Sequence, residues 1–171
     1  MTIGLFYGSD TGITSGVASE IKKSLEANFK IEEYDVQKFK EDDFAKYDMM
    51  IIGLSTWYDG QLQSDWDTYI ERFSQIDFTG KIVALYGLGD QDGYGEWYCD
   101  GMGIVGQHVK DNGGNLIGKW STEGYDFIES KAQHEEGYFC GLALDEDVQP
   151  ELTEIRLDEW CSMISKEFKT Y

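Results

Sequence analysis

Apolar residues recur along this chain in two rhythms. Unbroken runs mark strands covered on both faces, and returns every three or four positions mark one face of a helix. Ile3–Tyr7 reads as a first strand that ends in a Gly/Ser/Asp/Thr loop, after which Ile13, Val17, Ile21 and Leu25 form a helical stripe. Lys30–Val36 is a short strand, and Met49–Leu54 is a continuous apolar run. Ser64-Asp65-Trp66-Asp67 is a capping-box-like start, followed by Trp66, Tyr69, Ile70 and Phe73 at helical spacing. Ile82–Tyr86 is another buried strand, and Tyr98, Met102, Val105 and Val109 make a stripe that Gly113-Gly114 terminates. Leu116–Trp120 resumes as a strand, the stretch 121–137 is polar and glycine-punctuated, and Tyr138–Leu144 is strand-like again. Pro150 opens a last helix with Leu157, Trp160, Cys161, Ile164 and Phe168 on its apolar face. Strands alternating with helices predict one doubly wound α/β domain over residues 1–171, with a parallel sheet and a binding crevice at the carboxyl ends of the strands.

Composition narrows the functions available. With 14 Lys+Arg against 33 Asp+Glu, the 171 residues carry a formal charge of −19. Such a surface repels phosphate backbones and anionic lipid, so neither nucleic acid nor membrane is an expected partner. A hydrophobic content of 41% and an aromatic content of 15% argue for a packed core rather than disorder. The opening residues read as a strand and not as a leader, and no apolar run is long enough to span a bilayer. Cys99, Cys140 and Cys161 are an odd number at wide spacing, which suits reduced thiols in a cytoplasmic protein, and His108 and His134 offer no ligand spacing with them for zinc. A cytoplasmic monomer is expected.

Three loops, after the first, third and fourth strands, then carry the candidate chemistry. In Ser9-Asp10-Thr11-Gly12-Ile13-Thr14-Ser15, hydroxyls, a glycine and a helix N-terminus offer neutral donors to an anion. It lacks the lysine of a nucleoside-triphosphate loop, and a plain Ser/Thr-rich helix cap fits it equally. In Ser55-Thr56-Trp57-Tyr58-Asp59-Gly60, the tryptophan is suited either to a ligand or to packing on a helix. Gly87-Leu88-Gly89-Asp90-Gln91-Asp92-Gly93-Tyr94-Gly95 lets backbone approach a ligand closely or is only a flexible loop. Together they place phosphate donors and two large aromatics at one end of one sheet, which suits a planar aromatic ligand with a phosphate tail.

The three loops also resemble, in order and spacing, the motifs of long-chain flavodoxins. Ser9-Asp10-Thr11-Gly12-Ile13-Thr14 stands for the family's Thr/Ser-x-Thr-Gly-x-Thr, Thr56 to Gly60 for Thr-Trp-x-x-Gly, and Gly89 to Tyr94 for Gly-Asp-Gln-x-Gly-Tyr. The similarity runs on through Gly141-Leu142-Ala143-Leu144-Asp145-Glu146. It implies a five-stranded parallel sheet of order 2-1-3-4-5, the arrangement for which flavodoxin is a reference case. It also implies a fifth strand split by the insertion after Trp120, and FMN held without a covalent bond. Carried over, Ser9–Ser15 would cradle the phosphate, and Trp57 and Tyr94 would flank the isoalloxazine ring. Backbone of Leu88, Gly89, Asp90 and Cys99 would meet its pyrimidine edge. The Tyr58–Asp59 peptide would stand where relatives flip a carbonyl toward the reduced ring. Neither residue is glycine, so less semiquinone stabilisation is expected than in relatives with glycine there. Asp10 adds charge beside a dianion and is expected to brace the loop instead.

Charge and chemistry now meet. No Lys or Arg occurs between Tyr47 and Glu71 or between Ile82 and Val109, while nine acids do. The implied function is a low-potential carrier of single electrons between semiquinone and hydroquinone, docking on redox proteins with basic faces. A flavin-dependent NADP reductase is the implied donor, with acceptors unspecified. An FMN-dependent quinone or NAD(P)H reductase on the same fold is the enzyme alternative. A phosphoacceptor signalling module shares the strand order but needs an acceptor Asp where Ser55-Thr56-Trp57 stands.

Overall fold

The computed structural model describes residues 1–38 and 41–171. Continuous apolar sequence forms the central strands: β1 (Thr2–Tyr7), β3 (Met49–Trp57) and β5 (Ile82–Leu88), with β2 (Lys30–Asp35) outside β1. All pair in parallel in the order β2-β1-β3-β5, and every residue of β5 is buried. The fifth position is shared by two short strands. β6 (Asn115–Ile117) pairs with Ile82–Ala84 at the start of β5, and β9 (Leu142–Leu144) with Tyr86–Leu88 at its end. The sheet is therefore the expected 2-1-3-4-5 arrangement with its last strand split. The interruption, residues 118–141, contains the antiparallel pair β7 (Trp120–Ser121) and β8 (Tyr138–Phe139).

Helices cover both faces. α1 (Ile13–Leu25) and α5 (Thr153–Phe168) pack Val17, Ile21, Leu25, Trp160, Ile164 and Phe168 on one side. α3 (Ser64–Phe73) and α4 (Asp100–Asp111) pack Trp66, Phe73, Met102, Val105 and Val109 on the other. Alternate residues of the central strands feed the two cores, as a period of two requires: Ile3, Leu5 and Ile51 on one face, Phe6, Met50 and Ile52 on the other.

Several expectations are corrected in detail. Leu116–Trp120 is not one strand, because Gly118 turns with φ +75° and sends Trp120 into the hairpin. Tyr138–Leu144 divides in the same way at Cys140-Gly141, where a β-carbon on Gly141 would stand 2.2 Å from the Leu85 carbonyl oxygen. Ser64 does not cap α3. Gln63 does, its side-chain oxygen accepting from the Trp66 N–H at 3.3 Å. Tyr98 precedes α4 rather than starting it, and Pro150–Leu152 form a short 3-10 turn ahead of α5. Two small elements escaped the pattern: α2 (Glu41–Ala45) and β4 (Gln61–Leu62), which folds back antiparallel on Thr56 and Trp57 of β3.

Candidate functional site

At the carboxyl ends of β1, β3 and β5 lies an open cleft, the place where doubly wound sheets bind ligands. Its walls are Thr11, Ile13 and Thr14 from the first loop and Ser55, Thr56, Trp57 and Tyr58 from the second. Leu88, Gly89, Asp90 and Tyr94 come from the third, and Glu146 and Asp147 from the chain beyond β9. Sequence reasoning missed the last two. The signal was available, since they follow a strand that ends beside β5 and so must reach the same edge of the sheet.

The first loop is built around Ser9, whose Oγ accepts from the N–H groups of Gly12 (3.1 Å) and Ser15 (3.4 Å). Gly12 adopts φ +89°, a left-handed conformation that glycine takes without strain, and leads directly into α1. Ile13 is 46% exposed, so it departs from its expected place on the core stripe and faces the cleft instead. Thr14 is anchored from below, where the buried Tyr86 hydroxyl donates to its carbonyl at 3.1 Å. Tyr86 has room because Gly53 faces it, and a β-carbon there would fall 1.9 Å from the ring.

Asp10 does not line the cleft. It accepts from the Ser64 hydroxyl at 2.6 Å and from the Gln63 amide at 2.9 Å, so it ties the first loop to the start of α3. The brace expected within its own loop is thus a brace to a neighbour. Partial burial would raise the Asp10 pKa, but the bonds from Ser64 and Gln63 outweigh it and hold the carboxyl below its ordinary value.

The second loop makes a tight turn in which the Gly60 N–H donates to the Tyr58 carbonyl at 2.8 Å. Tyr58 holds φ +44° and Gly60 φ +82°. Trp57 lines the cleft, and its buried Nε1 is directed at the Asp10 carboxylate, where it joins Ser64 and Gln63 in lowering that pKa. Tyr58 is 59% exposed and meets the Tyr94 ring edge-on, centroids 6.3 Å apart. Asp59 is exposed beside the cleft and Gly60 lies beneath it, against Trp97 and Asp100. Thr56 accepts from the Gly101 N–H at 2.9 Å, fixing this loop to α4.

In the third loop, Asp90 Oδ1 accepts from the N–H groups of Asp92 (3.0 Å) and Gly93 (2.7 Å). Gly89 permits a close approach, for a β-carbon would meet the Cys99 nitrogen and the Tyr98 ring at 3.0 Å. Cys99 is fully buried at φ +54° ahead of α4, and burial raises its thiol pKa, so this side chain is inert and only its backbone reaches toward the loop.

Known proteins share the sequence and the fold of this chain. The flavodoxin family model matches residues 5–160. A flavodoxin of Haemophilus influenzae is 44% identical over 165 residues, spanning 96% of this chain and 94% of that protein. A Synechocystis flavodoxin is 48% identical over 162 residues, 95% of each. Among solved structures, the Fusobacterium nucleatum flavodoxin bound to flavin mononucleotide superposes with a TM-score of 0.91 at 36% identity, covering 97% of this chain and 98% of that one. With the family model and these relatives matching over nearly the full length, this chain belongs to the flavodoxin family.

Proposed function

We infer that the chain acts as one flavodoxin domain that carries single electrons on non-covalently bound FMN between redox enzymes. The observation that carries the reading is the cleft itself: Trp57 and Tyr94, from separate loops, line one opening together with Thr11 and Thr14 at the start of α1. The fit to FMN rests on this chemistry. The first-turn N–H groups of α1 lack intrahelical partners, and with the Thr11 and Thr14 hydroxyls they suit a phosphate. Bound FMN supplies reversible one-electron chemistry at a potential set by its surroundings.

The chain's own residues then have distinct tasks. Ser9, Thr11, Gly12, Ile13, Thr14 and Ser15 form the phosphate cradle. Trp57 and Tyr94 flank the ring and exclude water, while backbone of Leu88, Gly89, Asp90 and Cys99 meets its polar edge. Tyr58, Asp59 and Gly60 form the turn that governs the first electron. Flavodoxins are electron carriers rather than enzymes and work with redox partners. A flavin-dependent NADP reductase with a basic face is the donor this reading favours, and the carrier is a cytoplasmic monomer. Among the described residues no helix is long and apolar enough to cross a membrane. Purified protein reconstituted with FMN should show a flavin spectrum and reduce in two separate steps on dithionite titration. Failure to bind FMN, or steady oxidation of NADH by the protein alone, would overturn the reading.

A further inference from the structure

Gln91 sits in the loop that carries Tyr94, yet it is 4% exposed and is not part of the cleft wall. Its side chain joins three separate segments. The amide Nε2 donates to Asp145 Oδ2 at 2.9 Å, and the Gln91 backbone N–H donates to the same oxygen at 2.9 Å. The amide oxygen accepts from the Asp126 N–H at 2.6 Å, inside the insertion. Asp145 is itself fully buried, and its other oxygen accepts from the N–H groups of Asp147 (3.1 Å) and Val148 (2.9 Å).

The insertion grips the same loop on the far side of Tyr94. Ile128 and Glu129 both donate N–H groups to the Gly95 carbonyl, at 2.8 and 3.0 Å, and the Tyr98 N–H donates to the Glu129 carbonyl at 3.3 Å. Tyr94 is therefore held between two lines of hydrogen bonds to residues that are not themselves at the cleft. The loop needs such support, because Gly89, Gly93 and Gly95 leave its backbone intrinsically free. A ring face that must first be ordered binds more weakly than one already in place.

We propose that Gln91 is a positioning residue: through Asp126 and Asp145 it fixes the Tyr94 loop against the insertion, so the insertion sets how firmly the isoalloxazine ring is held. The proposal rests on the FMN reading above. Gln91→Met keeps the length and removes both side-chain bonds. It should raise the dissociation constants of FMN and of riboflavin by the same factor, about tenfold or more, because the ring end and not the phosphate end is loosened. The visible circular dichroism of bound flavin should change with it. Asn112→Ala, which loses a 2.7 Å bond to the Ser74 carbonyl near the end of α4, is the control for lost stability without lost grip.

Equal loss of affinity in both variants, or a Gln91→Met protein within twofold of the parent, overturns the proposal. If Gln91→Met does not fold, amide exchange in the unsubstituted protein decides instead. FMN should slow exchange at Asp126, Ile128 and Glu129, and unchanged exchange there counts against the idea. A parent protein that takes up no FMN overturns the underlying reading instead, which keeps the two failures apart.

Discussion

Single positions in the two first loops set distinct properties. Tyr58 keeps a left-handed backbone without being glycine, and its carbonyl is engaged by the Gly60 N–H in a three-residue turn. A β-carbon on Asp59 adds resistance to any reorganisation of the Tyr58–Asp59 peptide. Asp59→Gly removes that resistance, worth ~1 kcal/mol or about 40 mV for one electron. The midpoint potential of the first reduction step should rise by that order in a stepwise dithionite titration. No rise would mean that the turn does not control this step. Asp10 makes a second prediction. Its folded pKa lies below the unfolded one, so it adds stability above the unfolded pKa near 3.8 and loses it as pH falls through the folded value. Asp10→Asn keeps an acceptor for Ser64 and Gln63 but not the charge. Solvent exposure keeps its cost to no more than about 1 kcal/mol at pH 7, and the difference from the parent should shrink below pH 4 in urea unfolding. The same variant should bind FMN more tightly, since one negative charge leaves the neighbourhood of the phosphate.

At the level of elements, the sequence declares what local pattern determines and hides what distant contacts determine. β3 and β5 were legible because strands covered on both faces must be apolar throughout, and α1, α3, α4 and α5 because each presents a stripe to a core. β4 has two residues and exists only because its loop returns to pair with β3. The cap of α3 was misplaced because the Ser64 hydroxyl is drawn to Asp10, more than fifty residues earlier in the chain, leaving Gln63 to cap the helix. Most cleft residues could be named from their loops, but Glu146, Asp147 and the Gln91–Asp145 contact depend on where β9 docks. The insertion shows the same dependence. It lies so close to α4 that a β-carbon on Gly103 would fall 2.2 Å from the Lys131 carbonyl, and His134 there pairs with the Gly103 carbonyl at 3.1 Å. Burial lowers the His134 pKa below 6.5, so its contribution is complete above that pH and lost as pH falls through the folded value. Amide exchange around Ala132–Cys140, corrected for its intrinsic rate, should therefore accelerate as pH falls below about 6.5. His134→Gln should remove that acceleration, and an unaltered pH profile would acquit the histidine.

Across the whole molecule the charge is not evenly spread. Asp90, Glu146 and Asp147 line the cleft with no lysine or arginine among its lining residues. These acids sense one another: burial first, then Asp90, Asp145 and Glu146, raise the pKa of Asp147. Two lysines stand at the opposite edge. Lys30 opens β2 and pairs with Glu32, and Lys81 precedes β5 and donates to the Tyr47 carbonyl. Because the strands are parallel, the amino ends share one edge and the carboxyl ends, with the acidic cleft, the other. A carboxylate ~10 Å from the ring at an effective dielectric of ~20 opposes added negative charge by about 1.7 kcal/mol, or roughly 70 mV before salt screening. The acidic end also steers the cleft toward basic faces. The association rate with a cationic redox protein, followed by stopped flow, should fall about tenfold or more between 10 and 300 mM salt, as the screening length drops below ~10 Å. Neutralising Glu146 and Asp147 together as Gln and Asn should flatten that slope and raise the potential of the second reduction step. A steep slope that survives their removal would place the steering charge elsewhere on the surface, and a rate indifferent to salt would leave the acidic rim no part in docking.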